Sequence, residues 1–108
     1  MSGVVLSPAA EEALTLLASS IRVGRIRRGW TLAELAERVG VSRPTMMRVE
    51  AGSPGVAVGT VFEAARLVGV PLFSADPAER ARLGAHQRAE LALLPAEVRH
   101  RREVDDEF

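Results

Sequence analysis

The sequence predicts an all-α fold of five helices, and three observations carry that prediction. Apolar residues recur at three- and four-residue spacing through most of the chain. Ser, Thr or Asp stands where four of these runs begin, and Gly or Pro stands where they stop. One short Pro-marked stretch between the fourth and fifth runs reads as extended instead. At 108 residues the chain has material for a compact core with short extensions.

Each element follows from local chemistry. Ser7-Pro8 followed by Glu11 and Glu12 is a helix start: a hydroxyl cap, Pro at the first helical position and acidic residues at the positive end of the dipole. Helical periodicity then runs to about Arg28, as one helix or two, with Leu14, Leu17, Ile21 and Val23 or Gly24 near one face. Gly29 ends it. Thr31-Leu32-Ala33-Glu34 is a capping box that opens a short helix to about Val39, with Leu35, Ala36 and Val39 inward and Gly40 as its stop. Ser42 caps again, so a third helix runs from Arg43 to about Ala51 with Met46 and Val49 inward. Gly52-Ser53-Pro54-Gly55 is a turn. The fourth helix spans about Val58 to Val68, with Val61, Ala64, Ala65 and Val68 at helical spacing, no side-chain cap at Ala57, and Gly69 as its stop. Val70 to Ser74 is the extended segment. Asp76-Pro77-Ala78-Glu79 is another capping box, with Pro at the first position, and opens the fifth helix, which Pro95 ends. The expected organisation is 1–70, 71–95 and a charged tail over 96–108.

Charge divides the chain further. The formal net charge is zero, from 14 basic and 14 acidic residues, which taken alone argues against a nucleic-acid partner. From Ser20 to Arg48, however, seven Arg stand against two Glu, a local excess of five positive charges. All cations are Arg and none is Lys, which fits a compositional bias, so positions carry more weight than totals. The absence of cysteine removes disulfides, zinc-thiolate sites and thiol catalysis. His86 and His100 are isolated, no Asp/Glu/His cluster has ligand or triad spacing, and no Gly-rich phosphate loop occurs; neither an enzyme nor a bound cofactor or metal is expected. Acidic Glu11 and Glu12 replace the positive charge a signal peptide needs, and no apolar run approaches the roughly 18 residues of a membrane span. A soluble cytoplasmic protein is expected.

Two short helices joined by a Gly-containing turn, with Ala36 and Gly40 allowing close approach and Val41, Met46 and Val49 forming a buried seam, meet the requirement of a helix-turn-helix unit. The longer stretch from Ile21-Arg22 through Arg25, Arg28-Gly29-Trp30-Thr31-Leu32-Ala33-Glu34-Leu35-Ala36, Val39-Gly40-Val41-Ser42 and Val49-Glu50 to Gly52 resembles the Cro/C1-type (XRE) family of repressors. Gly52 to Val56, Gly59-Thr60, Leu94 to Arg99 and the acidic end Asp105-Asp106-Glu107-Phe108 are similar to HipB-like antitoxins encoded beside HipA-type kinase toxins. The resemblance implies a lambda-repressor-like helix-turn-helix domain whose third helix enters the major groove.

Carried over by position, the residues facing bases are Arg43, Pro44, Met47 and Arg48, with Arg43 placed for a bidentate contact to guanine. Phosphate contacts are expected from Ser42 and Thr45, from the backbone near Thr31 and Leu32, and from Arg27, Arg28 or Arg38. Leu32 and Ala51 depart from the family, where Gln and Asn are common, and this puts two side-chain phosphate contacts in doubt. Arg25 and Glu50 match positions that form a buried ion pair in the family. Trp30 reads as a core and staple residue in preference to a base-stacking one.

Phe62, Leu67, Leu72 and Phe73 are more apolar than a monomer needs, so Val70 to Ser74 is expected to pair with its symmetry copy in a homodimer, or else to pack on its own fifth helix. The tail is either a solvated charge run or a segment ordering on a toxin, with Asp105, Asp106, Glu107 and the apolar anchor Phe108 at the contact. The resemblance thus implies a dimeric operator-binding repressor that neutralises a HipA-like Ser/Thr kinase toxin by complex formation. A free-standing repressor of the same fold and a protein-binding adaptor are the alternatives.

Overall fold

The structure, a computed structural model, describes residues 5–98. Five α-helices run in order: α1 (Pro8–Arg27), α2 (Leu32–Val39), α3 (Arg43–Glu50), α4 (Val58–Leu67) and α5 (Pro77–Leu93), and no strand is present among the described residues. The chain divides into two units, 1–72 and 73–108.

In the first unit the caps set the element bounds. Ser7 Oγ accepts from the Ala10 amide at 3.2 Å, and α1 runs unbroken for 20 residues before Gly29 turns the chain at φ 73°. Thr31 and Glu34 form a complete capping box on α2: the Thr31 amide donates to Glu34 Oε1 at 2.7 Å, and the Glu34 amide donates to Thr31 Oγ1 at 3.1 Å. Gly40 takes φ 90°, where its amide and that of Val41 both donate to the Ala36 carbonyl, and this tight stop brings the chain straight to the α3 cap at Ser42. Ala57 gives α4 no side-chain cap.

The apolar faces of these four helices close one core. Ile21 of α1, Leu35 and Ala36 of α2, Met46 and Val49 of α3, and Val61, Ala64, Ala65 and Val68 around α4 are buried together. Each of the fully buried large side chains, Ile21, Leu35 and Met46, contributes about 1.5–3 kcal/mol. Of the two alternatives for the last inward position on α1, Val23 is exposed and Gly24 meets the end of α4, where the helices approach too closely for any side chain.

Val70 to Ser74 forms no strand. Within one chain this segment has no second strand to bond to, and the backbone bends at Leu72 and Phe73, where Phe73 takes φ 68°. Leu67, Val70 and Leu72 pack against the core of the first unit. Leu67 and Leu72 are therefore partly spent inside their own chain, whereas Phe62 and Phe73 are exposed.

The second unit holds α5. Asp76 caps it through the Ala78 amide, and Ser74 braces its start by donating to Glu79 and accepting Arg80 at its carbonyl. None of the 17 residues of α5 is buried. The tail residues Asp105, Asp106, Glu107 and Phe108 lie outside the described residues.

Candidate nucleic-acid interface

The outer face of α3 follows from what its inner face buries. With Met46 and Val49 turned into the core, Arg43, Pro44, Met47 and Arg48 are exposed, and Met47 keeps half of its surface free. At the head of the helix Ser42 Oγ accepts from the Thr45 amide at 3.2 Å and lies 3.0 Å from Thr45 Oγ1. The two hydroxyls share one proton between them, which leaves the other free for an outside acceptor.

Arg25 ties this helix to the rest. Its Nε donates to Glu50 Oε2 at 2.7 Å, its Nη2 to Glu50 Oε1 at 3.0 Å, and its Nη1 to the Trp30 carbonyl at 2.9 Å. One guanidinium thus joins the end of α3, the body of α1 and the entry to α2. The two side chains are 13 % and 8 % exposed, so the fork replaces most of the water that each charge has lost.

Trp30 packs against the core and carries cations outside it. The guanidinium carbons of Arg38 and Arg28 lie 4.1 Å and 5.5 Å from its ring centroid. Both guanidiniums lie within cation–π range of the ring while the two arginines stay exposed. Beside the capping box, the Glu34 carboxyl is held below the usual carboxylate range, first by its hydrogen bond from the Thr31 amide and then by the Thr31 hydroxyl, with a smaller contribution from Arg38.

The expected phosphate-binding residues do not share one site: Ser42 and Thr45 head α3, Thr31 and Leu32 start α2, Arg38 lies over Trp30, and Arg27 and Arg28 stand at the end of α1. Leu32 and Met47 line a hollow of about 290 Å³ together with Arg22, Arg25, Glu50 and Ala51. Arg27 and Arg28 line another groove, about 650 Å³, between α1 and the end of α4, where Leu16, Val23 and Pro71 also lie. Leu32 turns its side chain toward the core, which leaves its backbone amide as the group at the exposed start of α2. Arg22, exposed on α1 three residues before Arg25, lines the first of these hollows.

A capped pair of eight-residue helices, tightly turned, with the second showing Arg43, Pro44, Met47 and Arg48 outward, is a helix-turn-helix DNA-binding domain, the kind transcription regulators carry. The family described as "Helix-turn-helix domain" matches residues 16–83, and the chain belongs to that family. A solved structure described as "MDT Protein" shares the fold, with a TM-score of 0.51 and 22 % identity over 70 % of this chain and 99 % of that one. No curated protein matches the chain at a significant level. Among the described residues no helix is long and apolar enough to cross a membrane, and no group of His, Cys, Asp and Glu is placed to hold a metal ion.

Proposed function

We propose that this protein is a transcriptional repressor that binds its operator as a homodimer and serves as the antitoxin of a HipA-like Ser/Thr kinase. The observation that carries the DNA reading is the α3 face: Arg43, Pro44, Met47 and Arg48 exposed in one row on a helix that the Arg25–Glu50 fork holds in place. Arg43 reads a guanine edge, Pro44 and Met47 offer apolar contact such as a thymine methyl accepts, and Arg48 adds charge. Thr45 and Ser42 contribute one hydroxyl proton to a phosphate, the amides at Thr31 and Leu32 face another, and Arg27, Arg28 and Arg38 supply positive potential.

A single helix of eight residues reads few base pairs, so the fold works on paired half-sites about 34 Å apart. Phe62 and Phe73 support a dimer, since each exposes an aromatic ring that pairing would bury. The antitoxin role rests on the similarity of Gly52 to Val56, Gly59-Thr60, Leu94 to Arg99 and the acidic end Asp105 to Phe108 to HipB-like antitoxins, with Asp105, Asp106, Glu107 and Phe108 as the segment meeting the kinase. Inhibition is by complex formation, and the protein performs no chemistry and needs no cofactor. The site of action is the cytoplasm.

The test is a salt titration of binding to the DNA upstream of the gene, combined with co-purification of the neighbouring gene product. Steep loss of affinity with salt together with a stable complex supports the whole reading. Steep salt dependence without a partner leaves a free-standing repressor, and a complex without DNA affinity leaves a protein-binding adaptor.

A further inference from the structure

We infer that Arg22 anchors a DNA backbone phosphate in the hollow between α1, the start of α2 and the end of α3. This rests on the DNA-binding reading above and adds a residue to it. The hollow is walled by Leu32, Met47 and Ala51 and carries three charged groups, Arg22, Arg25 and Glu50. Both oxygens of Glu50 are taken by the Arg25 fork at 2.7 and 3.0 Å, so these two charges cancel within the protein. Arg22 is left as the uncompensated cation: it is exposed, and among the described residues it makes no salt bridge.

The chemistry of the walls selects the ligand. A bare anion gains nothing from Leu32, Met47 and Ala51, whereas a phosphodiester presents an apolar sugar beside each charge. The hollow also opens next to α3, whose outward row faces the groove, so a strand lying along that groove passes over it.

Binding to a fluorescein-labelled mixed-sequence duplex, followed by anisotropy across a range of NaCl, tests this. Arg22→Gln is expected to weaken binding several-fold at fixed salt and to make the slope of log affinity against log salt shallower by about 0.9, the value for one phosphate contact. Arg22→Lys, which keeps the charge, is expected to restore the slope. An unchanged slope in Arg22→Gln overturns the assignment. A flat salt dependence in the unaltered protein overturns the DNA reading itself, and Arg22 with it.

Discussion

Gly24 and Val68 lie in direct backbone contact across α1 and the end of α4: a β-carbon on Gly24 would stand 2.6 Å from the Val68 carbonyl oxygen and 2.9 Å from its Cβ. That contact sets how closely the two helices approach, and it explains why the inward position at this turn belongs to the residue without a side chain. Gly24→Ala forces the helices apart and is expected to cost about 1–3 kcal/mol in urea denaturation. Gly59, in the first turn of α4, has open space where its β-carbon would be, so Gly59→Ala is expected to stabilise by about 0.4–1 kcal/mol. Equal effects of the two substitutions would contradict this account of the α1–α4 contact.

Removing Arg25 leaves the Glu50 carboxylate nearly buried without its partner and frees the Trp30 carbonyl. Arg25→Ala is expected to destabilise by about 3–5 kcal/mol, read as a large fall in melting temperature. Arg25→Lys cannot form the fork and should recover only part of the loss. A melting temperature unchanged by Arg25→Ala would refute the clamp.

The Glu34 capping contact gives a pH dependence of known sign. Its folded-state carboxyl titrates below the ordinary value, so between the two values the unfolded chain holds a proton that the folded chain does not. Stability from this group is complete above the ordinary carboxylate value and is lost as pH falls through the folded one. NMR titration should place Glu34 below the ordinary carboxylate range, and Thr31→Ala, which removes the hydroxyl but keeps the backbone amide, should raise it only part of the way while costing about 1 kcal/mol.

Arg43→Ala is expected to lower operator affinity by about 1–3 kcal/mol and to relax preference at one base position. Competition with single-base operator variants checks this; a loss that is uniform across all of them would place Arg43 on phosphate.

Phe73 combines 89 % exposure with a left-handed backbone at φ 68°, a costly state for a bulky residue. Phe73→Gly should therefore raise the stability of the folded chain by about 1 kcal/mol while weakening self-association. Phe73→Asp should weaken association further. Light scattering distinguishes the outcomes, and a dimer that persists in Phe73→Asp would remove this residue from the interface.

What the sequence determined by itself was the helices and their ends. Caps such as Thr31 with Glu34, Ser42 with Thr45 and Asp76 with Ala78 act over two or three residues, and stops such as Gly29 and Gly40 act at one, so the information is local and the bounds of α2 were readable to the residue. The outward row of α3 was equally legible, because burying Met46 and Val49 fixes which neighbours remain outside. Only the tertiary structure decided how side chains are shared between elements. It turned Leu32 toward the core, drew Leu67 and Leu72 partly into their own chain, set Gly24 in place of Val23 against α4, and gathered Arg22, Met47 and Ala51 around one hollow. The reason is distance along the chain: Gly24 meets a residue 44 positions away and Arg25 one 25 away, and no local pattern records how close two helices come once their apolar faces have met.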